Sequence, residues 1–216
     1  PDHSVFMLEY FVRNTKGRIL DNFMGNGVNV ISGLFLGMEV VGFDLRPDHC
    51  DAIYQACDEH FSSGKYQFFN EDGVAMKPLQ DEHSSFDGIL TDPPYLNCVE
   101  TYTQEKEDLS NVSSGEFMER MEECFSNYYR LIKTSNVSSK EFYPVMMKMN
   151  SSRKGSSGVI SMDFELAKVA ERVGLTLWDR TFNTLNATTA AVCVPRNYEN
   201  HYTIKNWETT LVWIKQ

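Results

Sequence analysis

The stretch RILDNFMGNGV, Arg18 to Val28, joins an apolar run to a glycine-rich turn. Arg18–Phe23 is typical of a buried strand, and a helical pattern begins at Val28 and continues to about Leu36. Gly25 and Gly27 let the backbone turn tightly and approach a ligand without a Cβ clash. This order predicts the first unit of a parallel α/β sheet, although a plain strand-to-helix connection would show the same pattern.

The same alternation of strand and helix continues along the chain, with no internal repeat. It predicts an α/β fold with a seven-stranded, mainly parallel sheet covered by helices on both faces. The further strands are predicted at residues 39–44, 65–72, 86–92, 142–149, after the glycine stop in 164–182, and at 209–216. Helical patterns are predicted in residues 47–61, 115–133 and the first half of 164–182.

Composition limits the classes of protein to which the chain can belong. Its 216 residues, 42% hydrophobic and 23% charged, fit one globular domain covering residues 1–216. No apolar run approaches the roughly 20 residues that span a bilayer, and no secretory leader is recognisable. The five cysteines are scattered without a Cys-x-x-Cys pair, which predicts reduced thiols, a cytoplasmic location and no metal site. The net charge of −10 weighs against a nucleic-acid partner, but a local basic face stays open.

Two aspartates follow the next two strands and suit an adenosine ligand. Asp44 comes close to the roughly 20-residue interval at which an acidic residue accepts hydrogen bonds from ribose hydroxyls. Asp72, one strand later, is placed to accept from an adenine amine. Val30 occupies the position of the third glycine of a dinucleotide fingerprint, which disfavours NAD and FAD. Each aspartate alone could also be a helix cap or a turn residue.

The tetrapeptide Asp92-Pro93-Pro94-Tyr95 follows the fourth strand. An exocyclic aromatic amine is a poor nucleophile, and two acceptors directed at its hydrogens stabilise the charge that develops during transfer. The Asp92 carboxylate and the Pro93 carbonyl can supply them, while the prolines hold the backbone fixed. Tyr95 offers a ring on which a flipped base can stack. The alternative is a rigid turn with an incidental aspartate.

Together these motifs resemble the DNA adenine-N6 methyltransferases, which use S-adenosylmethionine (SAM). DNFMGNG is similar to the cofactor turn of that family, with Asn22 in place of the usual proline, and TDPPY matches its catalytic motif in full. The resemblance implies that Asp21, Phe23, Gly25, Asn26, Gly27, Asp44 and Asp72 bind SAM, and that Asp92, Pro93, Pro94 and Tyr95 are catalytic. It also implies a Rossmann-like sheet with an antiparallel last strand, and an N-terminal helix that lines the methionine end of the pocket.

The expected activity is methyl transfer from SAM to the N6 amine of adenine in DNA, by direct displacement on a flipped base. RNA or another amine is the alternative substrate, and a non-catalytic binding subunit is the alternative from another class. A recognition insert is expected at residues 96–116, and the polar residues 150–158 are expected to form a mobile loop in which Arg153 and Lys154 could contact phosphate. Because so little chain remains to read bases, a partner subunit or homo-oligomer stays open.

Overall fold

The computed structural model describes residues 2–12, 14–94, 103–149, 152–153, 159–184 and 207–216. Seven of its strands form one sheet in the order β3-β2-β1-β4-β5-β9-β8. They are β1 (Arg18–Asp21), β2 (Glu39–Phe43), β3 (Tyr66–Phe69), β4 (Gly88–Thr91), β5 (Pro144–Met149), β8 (Thr176–Thr184) and β9 (Trp207–Ile214). Two-residue strands β6 (Ser152–Arg153) and β7 (Val159–Ile160) pair separately and antiparallel.

The direction of pairing agrees with the fold expected from the sequence. β1 pairs in parallel with β2 and β4, β2 pairs in parallel with β3, and β4 pairs in parallel with β5. β9 is antiparallel to both of its neighbours, β5 and β8. The predicted seven-stranded sheet with an antiparallel last strand is therefore confirmed.

In the described part of the chain, five α-helices cover the two faces of the sheet: α1 (Asp2–Met7), α2 (Val28–Phe35), α3 (Pro47–His60), α4 (Ser114–Leu131) and α5 (Met162–Arg172). Side chains of α1, α2 and α3 pack with Ile19, Leu90 and Met146 in one core cluster. Side chains of α4 and α5 pack with Leu20, Ile89 and Met147 in the other. Because neighbouring strand residues point to opposite faces, each central strand must be apolar at almost every position.

The structure differs from the sequence predictions mainly at element boundaries. Strands β1, β3 and β4 are shorter than predicted, because their last residues leave the sheet to form the loops described below. The N-terminal helix expected over residues 1–12 consists of α1 and a π-helical turn, Leu8–Val12, that continues it. Residues 114–116 of the expected recognition insert belong to α4, while 96–102 lie outside the described residues, as do most residues of the expected mobile loop 150–158.

In the described part of the chain, we find no helix of the length and apolarity that crossing a membrane requires.

Candidate active site

A cavity of about 350 Å³ opens where strands β1 to β5 end. Its walls come from the loops that follow β1 to β4, from the last turns before α4, and from the end of β5. Eight residues singled out by the sequence line it: Phe23, Gly25, Asn26, Asp44, Asp72, Asp92, Pro93 and Pro94. The carboxyl ends of parallel strands are where ligands bind in open α/β sheets.

Three other predicted site residues are placed differently. Asp21 is 1% exposed and lies behind the glycine turn, outside the cavity wall. Gly27 is also absent from the wall and caps α2 instead. Tyr95 falls outside the described residues, so its role in stacking a base stays a prediction.

Both glycines of the first turn have left-handed backbone conformations. Gly25 has φ 49° and Gly27 has φ 79°, values that side-chain-bearing residues rarely adopt. A Cβ built on Gly25 would meet no atom within 4 Å. Because Gly25 lines the cavity, its missing side chain leaves space for a ligand rather than for another part of the protein.

Asp44 holds the glycine turn in place from the end of β2. Its Oδ2 accepts a hydrogen bond from the Gly25 amide at 2.9 Å, and its Oδ1 accepts from the Arg46 amide at 2.8 Å. His49 Nδ1 lies 3.4 Å from the same Oδ1. A carboxylate offers about four lone-pair directions, so Asp44 can organise the turn and still accept from a ligand hydroxyl.

Asp72 is paired with an arginine that the sequence reading did not single out. Its Oδ2 accepts from Arg120 Nη2 of α4 at 2.7 Å, and its Oδ1 accepts from the Val74 amide at 2.9 Å. Arg120 Nη1 also donates to the Glu107 carbonyl at 2.9 Å. Since Glu107 belongs to the cavity wall, Arg120 connects Asp72 to the 103–113 segment that covers one side of the site.

Asn22, which replaces the proline of the resembling family, is fully buried and makes three contacts. Its Nδ2 donates to the Gly73 carbonyl at 2.7 Å and lies 3.4 Å from the Cys124 sulfur, while its Oδ1 accepts from the Tyr128 hydroxyl at 2.7 Å. Burial raises the pKa of the Cys124 thiol to about 12, so this cysteine stays protonated and unreactive. Asn22 therefore joins the glycine turn to α4 and to the Asp72 loop.

A buried polar cluster, Ser4, Asp21, Asn29 and Lys148, lies beside the β5 side of the cavity, and its members Asn29 and Lys148 reach the wall. We call it the lysine cluster. Lys148 Nζ donates to Asn29 Oδ1 at 2.8 Å and to Ser4 Oγ at 3.0 Å. Asn29 Nδ2 donates in turn to Asp21 Oδ2 at 2.9 Å. Burial raises the pKa of Asp21 to about 6, although the hydrogen bonds from Asn29 and the Phe23 amide and the Lys148 charge oppose that shift.

Sequence reasoning missed Asn29, Arg120 and Lys148 as members of this site. One signal was present for Lys148: it interrupts PVMMKM, a strand that is otherwise apolar and buried at every position. A lysine inside a central strand is costly unless it has a polar partner or a ligand. No comparable signal marks Arg120, because an arginine on an amphipathic helix is usually solvated.

The described residues contain no group of three or more His, Cys, Asp or Glu side chains that could bind a metal ion. No protein-family model matches the chain, and no curated protein matches it significantly in sequence.

Solved structures resemble this chain across almost its whole length. A SAM-dependent methyltransferase from Methanosarcina mazei is 12% identical with a TM-score of 0.60, and the match covers 94% of this chain and 93% of that one. Magnesium protoporphyrin IX methyltransferase from Synechocystis PCC 6803, solved with bound SAM, is 11% identical with a TM-score of 0.62, over 100% of this chain and 77% of that one.

A third neighbour, the (4+2)-cyclase SpnF, is 12% identical with a TM-score of 0.66, and the match covers 99% of this chain and 80% of that one. The presence of a cyclase among the neighbours means that the fold alone does not fix the reaction. The SAM prediction agrees with the two methyltransferase neighbours, one of which was solved with that cofactor. This chain therefore has the Rossmann-like fold of SAM-dependent methyltransferases.

Proposed function

We propose that this protein transfers a methyl group from SAM to the exocyclic N6 amine of adenine in DNA. The observation that supports this most is the arrangement of one cavity. The glycine turn, Asp44, Asp72 and the Asp92-Pro93 pair line it from four successive strand ends. The glycine turn, Asp44 and Asp72 suit an adenosine-containing cofactor. The Asp92-Pro93 pair provides the acceptors that suit transfer to an amine.

Two kinds of residue bind the cofactor in this proposal. Side chains accept hydrogen bonds from it, and the glycine turn leaves space for it. Asp44 accepts from the ribose hydroxyls with the lone pairs that Gly25 and Arg46 leave unused. Asp72 accepts from the adenine amine while Arg120 holds its carboxylate in place. Phe23 and Asn26 complete the wall beside Gly25, whose open Cβ position admits the cofactor.

The reaction proposed for Asp92 is a direct displacement. When bound, SAM supplies an electrophilic methyl group on a sulfonium. Asp92 and the Pro93 carbonyl accept hydrogen bonds from the two N–H groups of the target amine. These bonds orient the amine nitrogen toward that methyl carbon. Transfer would form the carbon–nitrogen bond as the carbon–sulfur bond breaks, and Asp92 or water would take the extra proton from the nitrogen. Tyr95 stacks the flipped base in this proposal.

Methylation with labelled SAM tests this proposal directly. The protein is incubated with labelled SAM and with double-stranded DNA, structured RNA or a mixed protein substrate, and the products are digested and separated. We expect label in N6-methyldeoxyadenosine. Label in a ribonucleoside or an amino acid would overturn the DNA assignment and keep the methyltransferase, whereas no label together with no SAM binding in calorimetry would favour a non-catalytic subunit.

The DNA partner and its recognition also belong to the proposal. The net charge of −10 gives the whole surface little attraction for phosphates. We therefore expect weak binding to DNA by the isolated chain, or recognition through a partner subunit. Size-exclusion chromatography with and without a DNA duplex distinguishes these two arrangements.

A further inference from the structure

We propose that Lys148 binds the carboxylate of the methionine moiety of SAM, so that the lysine cluster forms the amino-acid end of the cofactor site. This inference rests on the proposed use of SAM, and it assigns a role to a residue that no sequence motif identifies. It concerns binding and positioning of the cofactor rather than the transfer step itself.

Lys148 is a buried cation in an unusual place. The residue is 7% exposed and lies in β5, where the flanking Met147 and Met149 are buried in the core on the opposite face. Burying an ammonium group is costly unless an anion or several hydrogen bonds compensate. Within the described ranges, no carboxylate lies within ion-pairing distance of its Nζ.

The hydrogen bonds of Lys148 fix its ammonium group and leave capacity for a ligand. Ser4 and Asn29 each accept one of its three hydrogens. Among the described residues, none accepts the third, and Lys148 belongs to the cavity wall. Because Ser4 also donates to Asn29 Oδ1 at 2.7 Å, the two acceptors are locked to each other and the ammonium group has little freedom to swing away.

Lys148 lies at the end of the cavity opposite Asp44 and Asp72, where the proposed orientation of SAM places its amino-acid part. In the sheet order, Asp72 follows β3 and Asp44 follows β2, while Lys148 lies on β5, beyond the glycine turn and Asp92. Three strand spacings separate β2 from β5, about 14 Å. The Lys148 side chain covers part of this distance, since its ammonium group reaches Asn29 in the first turn of α2. With its adenosine beside Asp44 and Asp72, SAM extends its amino-acid tail toward Lys148.

Two other roles for Lys148 are less consistent with the geometry. A phosphate of a bound nucleic acid would have to reach a side chain that is almost fully buried, whereas a cofactor carboxylate is already inside the cavity. A purely structural role opposite Asp21 would place the two charges in contact, but Asn29 stands between them and binds both.

A matched pair of ligands and variants tests the proposal. Calorimetry measures the affinities of S-adenosylhomocysteine (SAH) and of its decarboxylated analogue, which keeps the thioether and the amine. For Lys148→Met we expect SAH binding to weaken about 10- to 30-fold, since a charge-assisted hydrogen bond is lost, while the analogue stays within about threefold. Lys168→Met, which removes an exposed lysine on α5, serves as the control and should change neither affinity.

The remaining outcomes separate the competing explanations. Equal weakening of both ligands, or no weakening of SAH, would overturn the proposal. Unchanged SAH affinity with weaker DNA binding would overturn it in favour of a phosphate contact. If Lys148→Met does not fold, Lys148→Gln takes its place, because an amide can still donate to Ser4 or Asn29 without carrying a charge. Failure of the wild-type protein to bind either ligand would instead contradict the proposed function.

Discussion

The two ends of the cavity are built in different ways. The acidic end is formed by Asp44 and Asp72. Each accepts a hydrogen bond from the backbone amide two residues further along the chain, Asp44 from Arg46 and Asp72 from Val74. At the other end, Lys148 depends on Ser4 and Asn29, which lie 144 and 119 residues away in sequence. Local motifs therefore describe the acidic end well, while the lysine cluster exists only because distant elements meet in the fold.

The two ends also differ in how strongly a bound ligand is expected to contribute. The Asp44 and Asp72 side chains keep 14% and 17% of their surface exposed, so water and backbone amides satisfy them without a ligand. Lys148 is more deeply buried and has no carboxylate partner among the described residues. We therefore expect a ligand anion to matter more at the lysine end than a neutral hydroxyl does at the acidic end.

The largest effect is expected from Asp92, which belongs to neither end. Asp92→Ala should lower the rate of methyl transfer by at least about 10²- to 10³-fold, because it removes one of the two acceptors for the target amine. Affinity for SAH should stay within about threefold. Single-turnover methylation and calorimetry give the two values, with the exposed Asp51→Ala as the control. A fully active Asp92→Ala protein would refute the assignment of the site.

The next effect concerns Asp21 and the charge balance of the lysine cluster. Its pKa is raised to about 6 from 3.8 by burial, so the folded protein binds this proton more tightly than the unfolded chain does. The contribution of Asp21 to stability is therefore highest below about pH 4 and is lost as pH rises through about 6. The shift corresponds to about 3 kcal/mol.

Urea unfolding of the wild-type protein and Asp21→Asn at pH 4.5 and 7.5 measures this contribution. The stability of the variant relative to wild type should rise between the two pH values by about 2 kcal/mol, because pH 4.5 already lies above the unfolded pKa of 3.8 and the other carboxyl groups titrate alike in both proteins. A difference that stays constant with pH would show that Asp21 titrates as an ordinary exposed carboxyl group.

A smaller effect, of opposite selectivity to Lys148→Met, is expected at the acidic end. Asp44→Asn should weaken SAH and its decarboxylated analogue by the same factor, about tenfold, since both ligands carry the same ribose. Asp48→Asn removes a nearby exposed carboxylate and should leave both affinities unchanged. If Asp44→Asn weakened binding of SAH but not of the analogue, Asp44 would act on the amino-acid part of the ligand. The assignments of the two ends of the cavity would then be reversed.

The smallest effect is expected at Gly25, between the ends. Gly25→Ala should cost about 1 kcal/mol of stability through its positive φ and weaken both ligands about three- to tenfold, because the new methyl group enters the cavity. Gly37→Ala is the matched control: its φ is 83°, and its added Cβ would have Thr15 O as its nearest neighbour, at 3.5 Å. Gly37→Ala should lower stability by a similar amount and leave the affinity for both ligands unchanged. If both variants lost ligand affinity equally, no ligand would lie beside Gly25.

The predictions from sequence succeeded where the information is local. Apolar runs separated by helical periodicity located all seven strands of the main sheet, and the glycine turn located the start of α2. The motif residues Phe23, Asp44, Asp72 and Asp92 do meet in one cavity because parallel strands place their carboxyl ends side by side. The boundaries were less accurate, since a residue at a strand end can extend the strand or turn into the loop at similar cost.

The sequence by itself determined the alternating α/β architecture, the glycine turn and the strand-end carboxylates, because each follows from residues within a few positions of one another. Only the tertiary structure decided that Arg120 neutralises Asp72, that Asn22 joins Tyr128, and that Lys148 meets Ser4 and Asn29 beside the cavity. These contacts join segments 48 to 144 residues apart, so they depend on how helices pack across the sheet. Side-chain periodicity gives the buried face of an element, but the partner on that face is chosen by packing.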